Sequence, residues 1–423
     1  MLYFRENGSV IFACKFERLI FSLGLLGIVV RITVFLKYLI FFVCLSLLTA
    51  CSTSRAVLWH GVHATPSMIA VQREVEDRQI LPKTVVPVYV ATSRMMQNNY
   101  SQPYGAERSN KVHYNRVDVG IPQLHVKGLV EINAYKPTHD KYFAAVALQK
   151  YDNKEQFKQQ LNAALAKKPK GKREIFLFIH GYNNNFADGV FRTAQFSYDY
   201  SLDVVSVHYS WPSAGSVPLY LYDRDSANFA RDGLIELLKV ISETNADQIS
   251  VIAHSMGNFV IMESFRTLAL QGNCKPIRRI TSFLMAAPDI DVDVFERQLN
   301  DIKKLPQPTA ILVSRADKAL AVSGRLTGGH HRVGDGSDIE MLRKNGIAVL
   351  DVSNVDGGAH NVFASSPTLM ALSREGSLAS KIMQGTELSP SQALLADSST
   401  VLEKTTHLIL YTPVRFLTST VQH

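Results

Sequence analysis

Ala253-His254-Ser255-Met256-Gly257 follows the apolar, β-branched run QISVI and precedes a stretch patterned for a helix, 257–271. A serine on a strand–turn–helix elbow, with small residues two positions to either side, is the arrangement that presents a hydroxyl as a nucleophile. The turn is so sharp that larger side chains at 253 and 257 would strike neighbouring backbone. The five-residue pattern alone arises often by chance, and its setting between a buried strand and a helix makes it specific. The plainer alternative is a helix N-cap serine. Ala253 stands where glycine is more usual.

A serine hydroxyl needs a base, and the base needs an orienting acid. Asp317 follows TAILVSRA, and His360 follows IAVLDVSNVDGGA in a glycine-containing loop. The chain order serine, acid, histidine suits such an elbow. Asp289, in MAAPDID one strand earlier, is the competing acid. His330 and His331, in a glycine-rich stretch with no preceding strand, are the competing bases. Asp317 and His360 are favoured. After EIFLFI comes His180-Gly181-Tyr182-Asn183-Asn184-Asn185. The backbone N–H groups of Tyr182 and Met256 are the expected donors to an oxyanion, with Gly181 allowing close approach. The asparagines also suit a turn and a helix N-cap. Beyond VVSVHYS, the residues Trp211, Tyr220, Tyr222 and Asp223 either line an acyl or alcohol pocket or pack beneath a loop.

Ser255, Asp289, Asp317, His360 and the Tyr182 loop all lie past short apolar runs. Strands are expected at 86–90, 117–121, 127–132, 174–179, 204–209, 248–253, 279–285, 309–313 and 347–352, with a loop over 92–115 and the second and third strands joined near Pro122. Helices are expected at 153–173, 186–200, 226–241 (with Asp225 as N-cap) and 257–271, the last closed by Gly272. Fully apolar strands separated by helices imply an α/β fold with a mostly parallel central sheet and helices on both faces. Active sites of such sheets lie beyond the carboxyl ends of the strands, where the candidates fall.

VYVATSR, FIHGYNNNFADGVFRTAQ, SWPSAG, AHSMGNF, AAPDID, SRADKAL and the late GAH together resemble a bacterial alpha/beta hydrolase family of unknown function grouped with esterases and lipases. The resemblance covers roughly residues 84–372. It implies an α/β-hydrolase fold and carboxylic-ester hydrolysis through Ser255, Asp317 and His360, and it names no natural substrate.

Residues 38–50 form an uninterrupted apolar run preceded by Arg31 and Lys37 and ending at Cys51. This reads as a signal segment. Leu48-Thr49-Ala50-Cys51 resembles the lipobox of bacterial lipoproteins, in which the cysteine thiol receives the lipid. A transmembrane anchor over 19–50 is disfavoured because Arg31 and Lys37 interrupt it, at about 2.5–3.5 kcal/mol per charge near a helix centre. Ser52 resembles an outer-membrane sorting signal, so the expected location is the cell envelope, facing the periplasm or the surface. The expected organisation is a leader over 1–50, a lipidated N-terminus and tether over 51–83, the hydrolase domain over 84–385 and a tail over 386–423.

The net charge of +8 divides into +3 on residues 1–50 and +5 on the rest, too dilute to argue for nucleic acid. Of four cysteines, only Cys274 lies beyond Cys51, which excludes a disulfide framework in the mature chain. No phosphate-binding loop, HExxH or paired-cysteine motif is present, and no cofactor or metal is expected. The partners expected are an ester or acyl substrate and the membrane. An acyltransferase or thioesterase on the same residues, and a non-catalytic envelope scaffold, are the alternatives to a hydrolase.

Overall fold

The computed structural model describes residues 55–58, 81–99, 101–133, 138–374 and 409–411, and Lys37. The chain divides into two compact units, Met1–Ser54 and Arg55–His423. In the first, only Lys37, within a helix, is described. The leader, Cys51, and the tail apart from residues 409–411 lie outside the described residues.

The second unit is built on one sheet. Its strands are β1 (Thr84–Met96), β2 (Tyr104–Ile121), β3 (Ala144–Tyr151), β4 (Glu174–Ile179), β5 (Val205–Ser210), β6 (Gln248–His254), β7 (Ser282–Ala286), β8 (Thr309–Val313), β9 (Ala348–Asp351) and β10 (Ile409–Tyr411). They lie in the order β10-β9-β8-β7-β6-β4-β5-β1-β2-β3. From β1 through β5, β4, β6, β7 and β8 to β9, every neighbouring pair is parallel. β2 runs antiparallel to both β1 and β3, and β10 antiparallel to β9. The α/β class and the mostly parallel sheet are as the apolar runs imply.

The main helices are α1 (Lys154–Ala166), α2 (Phe186–Asp199), α3 (Tyr220–Ser242), α4 (Met256–Leu270), α5 (Val292–Ile302) and α6 (Lys318–Leu326). Alternation along each strand divides the core. On one face Leu177, Val207, Val251 and Met285 meet Phe157, Leu234, Phe265 and Phe295 of α1, α3, α4 and α5. On the other, Phe176, Phe178, Leu312 and Leu350 meet Phe196 of α2 and Phe363 and Leu369 near the end of the domain. Each fully buried Leu or Phe contributes roughly 1.5–3 kcal/mol. β4 leads through α2 to β5 on one side, and the chain then returns through α3 to β6 on the other side. The carboxyl ends of β4 and β6 therefore flank the point where the connections reverse, the usual place for a ligand.

Four expectations change. Residues 92–115 are not a loop but most of the β1–β2 ribbon. β3 pairs only with residues 114–120 of β2, so the first half of that strand pairs with β1 alone, and its polar residues suit a ribbon covered on one side. Residues 127–132 form no strand. Side chains and turns take the place of a ladder here: Val126 N–H donates to Glu131 Oε1 (2.7 Å), Gly128 N–H to Asp199 Oδ2 (2.7 Å), and Leu129 N–H to Val126 O (3.1 Å). α3 begins at Tyr220, after a 3-10 turn at Val217–Leu219 carrying Pro218 near its start, so Asp225 lies inside the helix rather than at its cap. The domain also takes in Arg55–Leu58, ahead of the first expected strand: Ala56 and Leu58 are fully buried.

The 127–132 segment is held by a buried ionic bridge. His125 Nδ1 lies 2.9 Å from Glu131 Oε2 and Nε2 lies 2.9 Å from Asp199 Oδ1. Burial alone would push the imidazole down, but the two carboxylates outweigh it and push it up to about 9. The folded value is raised, so the bridge stabilises fully below the unfolded value of about 6.5 and is lost as pH rises through about 9. His125→Gln should therefore cost roughly 3 kcal/mol at pH 6, the usual cost of leaving half of a buried ion pair unpaired. By urea denaturation, the gap between wild type and variant should narrow at pH 10. An equal gap at both pH values would contradict the bridge.

Candidate active site

β6 ends at His254 and α4 begins at Met256, so Ser255 alone makes the turn. Its φ of 51° and ψ of −124° lie where L-residues are strained, at a cost on the order of 1–3 kcal/mol that the surroundings must offset. They do so through the backbone. Ser255 N–H donates to Ala286 O (2.9 Å), and Ser255 O accepts from Asn258 N–H (3.0 Å) and Asn258 Nδ2 (3.2 Å). A Cβ at Gly257 would stand 2.5 Å from His180 O and 2.8 Å from Ile179 O. Only glycine lets α4 start this close to β4. A Cβ at Gly181 would stand 2.8 Å from Ser255 Cβ and 2.9 Å from His254 Nδ1. The loop after β4 is thus in direct contact with the elbow.

Asp317 and His360 come together although 43 positions separate them. Asp317 Oδ2 accepts from His360 Nδ1 at 2.6 Å, which leaves Nε2 of a neutral ring as an acceptor. Asp317 Oδ1 caps α6, accepting from Ala319 N–H (2.9 Å) and Leu320 N–H (3.0 Å). One carboxylate therefore fixes both a helix start and an imidazole, and its side chain is fully buried. The His360 loop is held from below by Ser314 Oγ on Gly358 O (2.7 Å). His254 was passed over as the variable position of the elbow. Its Nε2–H donates to His360 O (3.0 Å), and its ring lies against those of His360 and Phe363, both at 4.7 Å. Burial, with the neighbouring His360 adding to it, keeps this imidazole well below its usual range, so it acts here as a neutral donor. Among the described residues no hydrogen bond joins the Ser255 hydroxyl to His360. The elbow and the base loop meet through His254, and nucleophile–base bonds often tighten only when substrate binds.

The competing side chains have other partners, although the Asp289 N–H donates to Ser255 O (3.3 Å). Asp289 accepts from Tyr220 Oη (2.9 Å) and from Ser323 Oγ, and pairs with buried Arg332 at 3.4 Å. It joins α3 to α6. His330 and His331 are exposed beside Asp291 and Asp335.

In the loop after β4, Asn183 N–H donates to Asp223 Oδ2 (3.2 Å) and Asn184 N–H to Ser213 Oγ (3.1 Å). The Tyr182 and Met256 N–H groups have no acceptor among the described residues. Asn185 caps α2 in a capping box with Asp188. Trp211 is fully buried, not pocket-lining. It stacks on His180 at 4.9 Å and donates through Nε1 to His180 O (2.7 Å). Tyr220 is likewise buried, and Tyr222 Oη donates to Ala106 O (2.8 Å).

Arg94, in the VYVATSR block, is the residue that sequence reasoning missed most completely. Register shifts on both sides of it turn its side chain inward. Its guanidinium donates to Ser210 Oγ (2.9 Å), Gly105 O (3.0 Å), Ser213 O (2.8 Å) and Asn184 O (2.7 Å), tying the loops after β4 and β5 to the β1–β2 ribbon. Burial lowers its pKa to about 10, against the opposing pull of Asp223 and Asp188, so it remains a cation at neutral pH. Asp223, raised by its own burial, accepts from Ser213 Oγ (2.5 Å) and Ala214 N–H (2.6 Å). No group of three His, Cys, Asp or Glu residues able to hold a metal ion occurs among the described residues.

The two aspartates can be separated by experiment. Asp317→Asn should lower turnover on the order of 10⁴-fold, as loss of the orienting acid does in comparable sites, with the fold intact. Asp289→Asn should lower the denaturation midpoint while leaving turnover within about tenfold, because it loosens a buried ion pair away from His360. Steady-state kinetics and urea melts on both variants decide, and the reverse ranking would move the acid to Asp289.

No curated protein matches the chain. Among solved structures, Aspergillus fumigatus lipase B is 13% identical over 49% of this chain and 53% of its own, with a TM-score of 0.32. This chain thus spans about half the length of that lipase. An esterase of Rhizomucor miehei is 10% identical over 72% of this chain and 85% of its own, with a TM-score of 0.33. At these scores neither informs the chemistry of this chain. A family model described as "alpha/beta hydrolase of unknown function (DUF900)" matches residues 153–376, which hold the β4 loop, the elbow, Asp317 and His360. The chain belongs to this alpha/beta hydrolase family.

Proposed function

We propose that this hydrolase is a serine carboxylic-ester hydrolase, carried on a bacterial envelope membrane by a lipid on Cys51. The observation that carries the catalytic reading is the strained Ser255 at the end of β6, whose neighbour His254 is bonded to the backbone of His360, an imidazole that is itself oriented by a buried carboxylate. Ser255 Oγ attacks the ester carbonyl as His360 Nε2 takes its proton. The carbonyl oxygen, now negative, receives the free N–H groups of Tyr182 and Met256. Each such donor is worth about 2.7–4 kcal/mol to the transition state, and the amino end of α4 adds its dipole. Collapse expels the alcohol, which takes the proton from His360. Water, deprotonated by His360, then attacks the acyl-serine; the carboxylic acid leaves as the acyl–oxygen bond breaks, and His360 returns the proton to Ser255 Oγ. The motif Leu48-Thr49-Ala50-Cys51 supports the anchor.

If Ser255 and His360 form one unit, their losses are not multiplicative. Ser255→Ala and His360→Ala should each cost roughly 10³–10⁶-fold in turnover, and the double variant about as much as either alone. The measurement is ester hydrolysis on folded variants. A double variant whose loss equals the product of the single losses would mean that the two residues act independently.

A further inference from the structure

The chain that leads in from Cys51 docks beside the loop that carries Tyr182. Arg55 Nη1 donates to Asn183 O (2.8 Å) and pairs with Asp188 at 3.3 Å. Ala56 N–H donates to Asp188 Oδ1 (3.2 Å), and Asn185 Nδ2 donates back to Ala56 O (2.8 Å). Leu58 continues the attachment, with its N–H on Ser101 O (2.9 Å) and its carbonyl accepting from Ala145 N–H (2.6 Å). The strap is therefore fixed to the turn next to the elbow. Only Ser52, Thr53 and Ser54 stand between it and Cys51. At most about 3.6 Å per residue limits the Cys51–Arg55 span to roughly 14 Å.

The same end of the sheet exposes apolar side chains. Val217, Leu219 and Leu221 lead into α3, with Leu221 71% exposed. They adjoin Tyr182, whose hydroxyl donates to Val217 O and whose ring meets Tyr220 at 5.4 Å. Val322 and Leu326 are exposed on α6, and Tyr220 Oη reaches the intervening Ser323 at 3.1 Å. Arg315, Lys318 and Arg325 are exposed along the same stretch, and α6 (KALAVSGRL) has no acidic residue. Apolar side chains flanked by cations suit the boundary of an anionic bilayer.

We propose that the mouth of the site is held against the lipid surface, with Val217, Leu219, Leu221, Val322 and Leu326 in the headgroup–acyl boundary, and that the enzyme draws its ester from an amphiphile in that membrane. The proposal rests on the reading above, since the lipid on Cys51 supplies the tether. Two features converge independently on one end of the sheet: a strap too short to let the domain turn over, and an apolar rim with nothing else to cover it among the described residues.

The test uses the full lipidated chain in phosphatidylethanolamine–phosphatidylglycerol vesicles with brominated acyl chains. An environment-sensitive fluorophore is placed on Leu221→Cys, or on Lys170→Cys in the exposed turn before β4, each with Cys274→Ser. The lipid should quench the probe at 221 roughly threefold more than the probe at 170, because only one lies in the interface. Twenty Gly/Ser residues inserted after Ser54 add a span of about 25 Å. They should lower hydrolysis of vesicle-borne diacylglycerol by roughly fivefold, through a lower effective concentration, and leave a soluble short-chain ester unaffected. Equal quenching at the two positions would overturn the orientation, and an insertion that changes neither substrate would overturn the coupling. Palmitate uptake at Cys51 and turnover of the soluble ester report the underlying reading separately. A chain that takes no palmitate removes anchor and orientation together, whereas an anchored, active chain with equal quenching removes the orientation alone.

Discussion

The close approach of β4 and β6 at their carboxyl ends is the constraint on which the rest of this site depends. Gly257 must pass within van der Waals reach of the Ile179 and His180 carbonyls, and Gly181 within reach of the Ser255 side chain. These contacts leave the chain one way to turn, through a serine at positive φ. The strain is local, and its support comes from hydrogen bonds to β7 at Ala286 and from Asn258. A larger residue at 181 or 257 would separate the two strand ends and displace the Ser255 side chain.

Around this contact the loops are held by buried polar groups rather than by apolar packing. Arg94, Asp223, His180 and Trp211 each bridge two or more segments, and all are essentially inaccessible to solvent. Such groups are costly to bury unless nearly all their hydrogen bonds are made, and that cost selects one loop geometry over its neighbours. The effect is preorganisation: Asn183 and Asn184 N–H groups are spent on Asp223 and Ser213, while the Tyr182 and Met256 N–H groups have no acceptor among the described residues, as the proposed oxyanion role requires. Asp317 works in the same way, with one oxygen on α6 and the other on His360.

Much of this is written locally in the sequence. Five- and six-residue apolar runs such as EIFLFI and QISVIA belong to strands buried on both faces, so the parallel sheet and the positions just past its strands were legible. The elbow was legible because its small residues are a steric requirement, and Asp317 and His360 because each follows a strand. What was not legible depends on tertiary partners. The β1–β2 ribbon reads as a loop because the half of β2 that pairs with β1 alone is polar and partly solvated. The 127–132 segment reads as a strand because the pattern cannot show that His125, Glu131 and Asp199 replace its ladder. Arg94 and His254 carry no local signature, since their roles arise only when β1, β5 and the His360 loop converge. Asp289 and Asp317 both follow strands in the sequence, where Asp317 is favoured, and the fold puts Asp317 on His360 and Asp289 on Tyr220 and Arg332.

The central claim is that Ser255 is an activated nucleophile, and a fluorophosphonate tests it most directly because the reagent phosphonylates serines whose hydroxyl has a working base. Intact mass and peptide mapping of the folded protein should show one adduct, on Ser255, that is absent from Ser255→Ala and forms far more slowly in His360→Ala. A folded protein that stays unlabelled, or an adduct on a different serine, would contradict the account.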